Sequence, residues 1–364
     1  MTRTHPNLKD YSIEGLRGRI ARDGLAPYRA EQIAGWLYQR GVEEPERMTD
    51  LPVELRSQLR ERWETRSLDV SAVDRSADGT VKATLIARDG ARIESVLIPE
   101  ENRTTLCVST QVGCSLACSF CATGAFGFQR NLATAEIIDQ VCRMRELLEA
   151  ERQITNVVFM GMGEPLLNLD AVIEAVRILL HPKAFGLAPR RVTVSTAGVL
   201  PKIRPLLESV PVNLAVSLHA TTDDVRDRLV PLNRRFPLRE LLATLRALDG
   251  ITARRPVFFE YTLIDGVNDG PEDARRLARL ARSLPSKVNL IPMNTHGDST
   301  LRPPPEATVD RFLRDLASRG TTVTLRRSRG SDIDAACGQL ALRSSRRVVD
   351  PAVSRAGPAA AASG

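Results

Sequence analysis

From Gly113 onward the chain alternates short apolar runs with longer stretches of helical period, and no other feature limits its possible folds as strongly. The apolar runs fall at residues 156–160, 191–195, 213–217, 257–262 and 287–291. A parallel strand is covered on both faces and so reads as a continuous apolar run. Runs of this kind spaced by helices predict parallel β/α units, closed or partly closed into a barrel. Several runs pass directly into polar residues, at Gly161-Met162-Gly163-Glu164, Ser195-Thr196, Ser217-Leu218-His219 and Asn294. In barrels the carboxyl ends of the strands carry the chemistry, which makes these residues the first candidates for a site.

The part before Gly113 has a different period. Ile13, Leu16 and Ile20, then Ile33, Trp36 and Leu37, then Leu51, Leu55 and Leu59 follow helical spacing, with Pro27 and Pro52 near helix starts. Residues 1–66 therefore read as a small helical accessory domain. Over residues 67–110 the period drops to two: Val81, Ala83 and Leu85 alternate with other residues, and Asp78-Gly79 and Asp89-Gly90 stand where hairpin turns belong. This is a short β meander, a hairpin extension over 67–100 that leads into a barrel domain over 101–342. The tail 343–364, ending PAVSRAGPAAAASG, has too little apolar content to pack and is expected to be disordered.

The chain has 364 residues and a net charge of +7, with paired arginines at Arg190-Arg191, Arg234-Arg235, Arg254-Arg255 and Arg326-Arg327. That balance suits a nucleic-acid partner and suits a solvated arginine-rich surface equally well, so charge does not decide between them. Apolar runs are interrupted well before the roughly 20 residues of a membrane span, and the N-terminus lacks the apolar core of a signal peptide. The expectation is a soluble cytoplasmic protein with no membrane partner. Of six cysteines, Cys114, Cys118 and Cys121 lie within one short loop, a pattern of metal ligation or redox chemistry rather than of a secreted disulfide framework.

A closed structural zinc site or an ordinary iron–sulfur cluster takes four protein ligands, whereas this loop offers three thiolates. His5, His181, His219 and His296 are remote in sequence, so a fourth ligand could come only from the folded chain, and zinc stays open on spacing alone. The spacing C-x3-C-x2-C resembles the signature of the radical S-adenosylmethionine (SAM) superfamily. The resemblance implies a [4Fe–4S] cluster on Cys114, Cys118 and Cys121. SAM would chelate the open iron and be cleaved to a 5′-deoxyadenosyl radical, chemistry that belongs to the cofactor while the protein orients it. Gly161-Met162-Gly163-Glu164-Pro165 closes the apolar run NVVFM and resembles the superfamily element that holds the SAM amino group. The third glycine of a dinucleotide fingerprint is missing, which leaves a Rossmann reading little support.

The stretches TTLCVSTQVGCSLACSFCATG, ITNVVFMGMGEPLLN, RRVTVSTAGV, LAVSLHA, RDRLVPLN, GVND, VNLIPMN and GSDIDAACGQL resemble, in order, the RlmN/Cfr family of radical SAM RNA methyltransferases. The likeness runs from the N-terminal helices to about Leu342. It implies an α/β fold, a partial (β/α)6 radical SAM barrel carrying a small N-terminal helical domain. It also implies SAM contacts from Gly163, Glu164, Ser195, Ser217, Leu218, His219 and Asn294. Read without the family, Ser195 and Ser217 are as readily helix caps and Asn294 a turn residue.

The same resemblance assigns chemistry to three further residues. Cys337 would be methylated by one SAM, and its methyl group, activated by a second, would join an electron-poor adenine carbon. Glu94 would remove the ring proton. Cys107 would then attack Cys337, free the methylated RNA and leave a disulfide for flavodoxin or ferredoxin to reduce. Glu94 alternates with Val96 and Ile98, which places a carboxylate among apolar neighbours, a useful setting for a base; an edge-strand surface glutamate is the plainer reading. Cys142, on a helical face with Ile138 and Leu148, reads as a small buried hydrophobe.

The implied substrates are an adenosine of 23S rRNA at the peptidyl-transferase centre and, for the RlmN branch, an adenosine in the tRNA anticodon loop. The motifs are common to branches that methylate adenine C2 and C8, and C2, the widespread activity, is the expectation. Residues THGDSTLRPPPEAT after Asn294 depart from the family's loop and bear on substrate range. A non-catalytic iron–sulfur or zinc RNA-binding protein is the reading from another class; it has no use for Cys337. A monomer is expected.

Overall fold

The computed structural model describes residues 5–149, 151–297 and 299–340, so the expected disordered tail lies outside the described residues. The strands among them are β1 Leu68–Arg75, β2 Val81–Ala87, β3 Arg92–Pro99, β4 Thr104–Cys107, β5 Gln111–Gly113, β6 Phe128–Asn131, β7 Asn156–Phe159, β8 Val192–Thr196, β9 Asn213–Ser217, β10 Val257–Leu263, β11 Ser286–Pro292 and β12 Val323–Leu325. Ten of these form one sheet in the order β1-β2-β3-β4-β7-β8-β9-β10-β11-β12, while β5 and β6 make a separate ribbon.

Pairing is antiparallel from β1 to β4 and parallel from β4 to β12. The meander is therefore continuous with the parallel array, and β4 belongs to both. All five strands expected from the apolar runs are present within a residue or two. Helices Thr134–Glu146, Leu169–Leu180, Leu200–Ser209, Asp223–Leu229, Leu238–Arg246, Pro271–Arg282 and Glu306–Ser318 alternate with the strands. The fold is a partial (β/α) barrel of the α/β class. No strand ladder joins β12 to β4 among the described residues, so the wall is open along that side.

The N-terminal region is helical, with Ile13–Arg22, Arg29–Ala34 continued as wider π turns over Gly35–Arg40, and Val53–Arg62. Ile13, Leu16, Ile20, Ile33, Leu37, Leu55 and Leu59 are all buried, as their spacing predicts. A buried ionic cluster ties this region to the barrel. Lys9 pairs with Glu43 and with Asp139 of the helix Thr134–Glu146, and Arg143 pairs with the same two carboxylates. Asp139 also accepts the Ser67 and Leu68 N–H groups at 2.6 and 2.9 Å. Cys142 is buried as expected, but it lies beside this cluster rather than in purely apolar surroundings.

Gln140, on the same helix, fixes the strands that carry two candidate residues. Its Oε1 accepts the Ser95 hydroxyl at 2.6 Å and the Ser109 N–H at 2.7 Å, and its Nε2 donates to the Ser109 carbonyl at 2.9 Å. No helix among the described residues is long and apolar enough to cross a membrane.

Candidate active site

The carboxyl ends of the parallel strands open into a pocket that also receives the cysteine loop. Cys114, Cys118, Cys121, Gly163, Glu164, Ser195, Ser217, His219, Asn294 and Cys337 all line it, which brings together residues spread over more than half the chain. Leu218, Cys107 and Glu94 do not line it.

The cysteine loop is shaped by backbone that few side chains allow. Gly113 has φ 76°, and a Cβ there would stand 1.7 Å from the Gly127 carbonyl oxygen. That close approach lets the Cys114 N–H donate to the same carbonyl at 2.9 Å. Burial pushes the Cys114 thiol up to about 11, with backbone N–H from Leu116 opposing and Cys121 adding to the rise. Cys118 is raised by burial and then by Cys121 and Cys114. Two desolvated thiols whose ionisation is opposed by the neighbouring sulfurs need a shared positive charge before they can become thiolates, which is what a metal centre provides.

The spacing of the sulfurs distinguishes the kind of centre. Among the described residues, the only His, Cys, Asp or Glu group with all its ligand atoms within 4.8 Å of one another is Glu43, Asp139 and Cys142, and Lys9 already pairs with both of its carboxylates. The three loop cysteines are spread more widely. One zinc with bonds of about 2.3 Å holds its sulfurs about 3.8 Å apart, whereas a cluster presents a different iron to each thiolate. The donor set fits a cluster better than a single zinc.

Beside this loop, Gly163 has φ 100°, and a Cβ would lie 2.6 Å from the Gln111 Cβ, so only glycine fits. Gln111 in turn accepts the Glu164 N–H at 2.9 Å. The buried Glu164 carboxylate accepts N–H bonds from Leu166 at 3.0 Å and Ala197 at 2.8 Å. Burial raises its pKa, and those bonds with that of Thr196 oppose the rise. A carboxylate so placed is suited to an ammonium group. His219, in the left-handed region at φ 55°, accepts the Thr262 N–H at Nδ1 over 3.0 Å. Burial and then Arg226 pull its pKa down to about 3, so the ring is neutral and carries its proton on Nε2 as a donor.

Ser195 and Ser217 face the pocket, and neither caps the following helix: the residues preceding Leu200–Ser209 and Asp223–Leu229 are Val199 and Thr222. Leu218 is fully buried. Its N–H donates to Glu260 and its carbonyl accepts from Arg226, which leaves no polar group for a ligand.

Cys337 reaches the pocket on a segment that crosses the open side of the barrel. Asn294 Nδ2 donates to the Cys337 carbonyl at 3.1 Å, while its Oδ1 accepts from Ser328, so this side chain braces the segment as well as lining the pocket. Cys107 is buried on β4. Burial and then Cys337 push its thiol up to about 12, and the Met160 N–H and Arg326 pull the other way. Cys337 is exposed by surface area, yet the protein packed around its sulfur raises the thiol, with Arg326 lowering it. Arg326, just after β12, has Nη1 3.5 Å from Glu260 Oε2 on β10 and 3.9 Å from Met160 Sδ just after β7. All six cysteines are free thiols.

Glu94 is not on an edge strand, because β3 is flanked by β2 and β4. It is buried, and Lys82 Nζ lies 3.5 Å from its Oε1, so its surroundings are not purely apolar. Val96 pairs with Cys107 across β3 and β4, which puts Glu94 on the same sheet face as Cys107, about 7 Å further along the strand.

Three residues of the site escaped the sequence reading. Two of them are Arg326 and Glu260, which form an ion pair. The third, Arg226, is fully buried and donates to the carbonyls of Leu218 at 3.0 Å, Ala197 at 2.7 Å and Ser217 at 3.0 Å, and to Asn233 Oδ1 at 2.9 Å. It fastens the ends of β8 and β9 together under the pocket. Leucine at this position leaves those acceptors buried without donors, and Arg226→Leu is expected to cost about 3–5 kcal/mol. Urea denaturation measures this; a loss under about 1 kcal/mol would mean the carbonyls find other donors.

Comparison with known proteins agrees with this geometry. Residues 108–280 match the Radical SAM superfamily, and residues 6–65 match the ribosomal RNA large subunit methyltransferase N-terminal domain. The chain is 48% identical over 344 residues to the dual-specificity RNA methyltransferase RlmN of Geotalea uraniireducens (strain Rf4), covering 94% of this chain and 99% of that protein. It is 50% identical over 334 residues to the protein of the same name from Geobacter sulfurreducens, covering 92% and 91%. A crystal structure of a radical SAM methyltransferase from Sphaerobacter thermophilus superposes with a TM-score of 0.87 at 46% identity, covering 92% of this chain and 99% of that one. With the cysteine triad, the glycine-glutamate turn and the N-terminal helices all in place, the chain belongs to the RlmN family of radical SAM RNA methyltransferases.

Proposed function

We propose that the protein methylates adenine C2 in 23S rRNA at the peptidyl-transferase centre and in the anticodon loop of tRNA, through a methylated Cys337 and with two SAM molecules per turnover. The observation that carries this reading is the convergence in one pocket of the cysteine triad, the Gly163-Glu164 turn and Cys337, with Cys107 behind them. The dual specificity in the names of the RlmN relatives supports two RNA classes.

Cys114, Cys118 and Cys121 hold the [4Fe–4S] cluster, which with SAM supplies one-electron chemistry able to activate a methyl group. Gly163 leaves room for the SAM amino group against the backbone, and Glu164 faces it with a carboxylate. His219 offers the Nε2–H, and Ser195, Ser217 and Asn294 offer polar groups along the pocket wall. Leu218 supports the floor from beneath.

Cys337 is the methyl acceptor, and its thiol must first lose its proton. The Arg326 guanidinium favours that ionisation. Glu94 takes the proton from the adenine carbon once the base is joined to Cys337, and the one electron that leaves with it balances the one spent in activating the methyl group. The Cys107 thiolate then attacks the Cys337 sulfur. A sulfur–sulfur bond forms, the sulfur–carbon bond breaks, and the carbon keeps the electron pair and takes a proton from solvent, which completes the new methyl group. The disulfide is returned to two thiols by a two-electron reduction, for which flavodoxin or ferredoxin is the proposed donor.

The test is anaerobic incubation of cluster-loaded protein with SAM, reductant and either RNA, followed by digestion and mass spectrometry of the nucleosides. 2-Methyladenosine from both RNAs is expected. 8-Methyladenosine would move the protein to the other branch, and methylation of rRNA alone would remove the tRNA activity.

A further inference from the structure

The segment that bears Cys337 is held at both ends. Downstream, the Ala122 N–H donates to the Gly338 carbonyl at 2.7 Å, and the Thr123 hydroxyl donates to Leu340 at 2.6 Å, which ties the segment to the short helix after the cysteine loop. Upstream, the holding group is the turn between β1 and β2, far away in sequence. Asp78 Oδ2 accepts the Gly330 N–H at 3.0 Å and lies 2.9 Å from Arg329 Nε, while Oδ1 accepts the Thr80 N–H of its own turn at 2.9 Å. Arg329 Nη2 also donates to the carbonyls of Asp78 at 2.7 Å and Pro99 at 3.1 Å. Next to these, the Ser76 hydroxyl donates to Asp332 at 2.6 Å.

The contact is closely fitted. Gly330 has φ 64°, and a Cβ there would lie 2.7 Å from Thr80 Cγ2 and 2.9 Å from the Ala335 Cβ. The hairpin's own turn needs only the Thr80 bond from Asp78. The second carboxylate oxygen is directed at the Cys337 segment, across the side where the sheet is open.

We propose that Asp78 is a positioning residue for Cys337, and that the β1–β2 turn sets where this thiol stands between the pocket and Cys107. This deepens the reading of Cys337 as methyl carrier and rests on it. Asp78→Asn is the discriminating change. The amide keeps one oxygen for the turn, but whichever way it is rotated one of the two N–H groups faces a donor, and the charge opposite Arg329 is gone.

The experiment uses the cluster-loaded protein with Cys337 unmethylated and no RNA present. Alkylation by iodoacetamide is followed by peptide mass spectrometry, and disulfide formation on treatment with diamide is followed in parallel. In Asp78→Asn, the initial rate of Cys107–Cys337 disulfide formation is expected to fall about tenfold, the effect of losing one charge-assisted bond on a local opening equilibrium. Alkylation of Cys337, which is already exposed, stays near the wild-type rate and shows that the thiol is present and free. Cys142 should stay unreactive, which shows that the fold is intact. A wild-type rate of disulfide formation in the folded variant would overturn the proposal and leave Asp78 as a turn residue only. Should Asp78→Asn fail to fold, Asp332→Ala, an exposed change on the same contact, is expected to slow disulfide formation in the same direction, and a wild-type rate there would overturn the proposal equally. Because no RNA is present, failure of wild-type protein to methylate RNA would count against the methyl-carrier reading without altering these rates.

Discussion

Cys337→Ala is expected to lower RNA methylation by at least about 10³-fold, as loss of a covalent nucleophile does, while iron, sulfide and SAM binding stay near wild type. Apart from the three loop cysteines, Cys337 is the one thiol lining the pocket among the described residues. Its replacement touches neither the cysteine loop nor the Gly163-Glu164 turn. The Cys337 backbone carbonyl, which Asn294 holds, is unchanged in the variant. Methyl incorporation measured beside cluster content separates a chemical defect from loss of the cofactor. Activity within about tenfold of wild type would show that the methyl group does not pass through Cys337, and would favour direct transfer.

Cys107→Ala should have an equally large effect of a different kind. The variant is expected to join RNA to Cys337 and then to stall, so that a protein–RNA species stable to denaturation builds up and yields a Cys337 peptide carrying a nucleotide after RNase treatment. Free methylated RNA released at the wild-type rate would contradict the assignment. The wild-type release step should also depend on pH. Burial pushes the Cys107 thiol up to about 12, so only a small fraction is thiolate at neutral pH. That fraction grows about tenfold for each unit of pH below its pKa. Release in a single turnover should therefore accelerate as pH rises through the neutral range, and Arg326→Gln, which removes the cation that favours ionisation, should slow it at each pH.

The parallel array and its site-bearing ends were legible because buried parallel strands read as continuous apolar runs that break at polar residues, as NVVFM does before Gly161. β12 was not legible, since three residues show no period. The cysteine triad was legible from its spacing, but nothing in the sequence brings Cys337 to it; that pairing came from the family resemblance, and the fold supplies the proximity. Arg226 was hidden because DDVRDRL looks like a solvated charged helix, and burial of one arginine there depends on where the helix lands. Glu260 carried a signal that could have been used: it is a charged residue inside the apolar run VFFEYTL, where an ionisable group must meet a partner. For Glu94 the strand was foreseen and the partner was not. The Lys82 contact depends on β2–β3 register, which pairs Thr84 with Glu94 and Lys82 with Val96. Asp78 was read only as a turn residue, because its second role lies with a segment some 250 positions away.

The most direct test of the account is to follow one methyl group. Protein carrying an isotopically labelled methyl on Cys337, freed of other SAM, is given unlabelled SAM, reductant and RNA for a single turnover, and both the Cys337 peptide and the RNA nucleosides are examined by mass spectrometry. The account predicts that the label leaves Cys337 and appears in methyladenosine in the first turnover. Unlabelled methyladenosine formed while the label stays on Cys337 would contradict it.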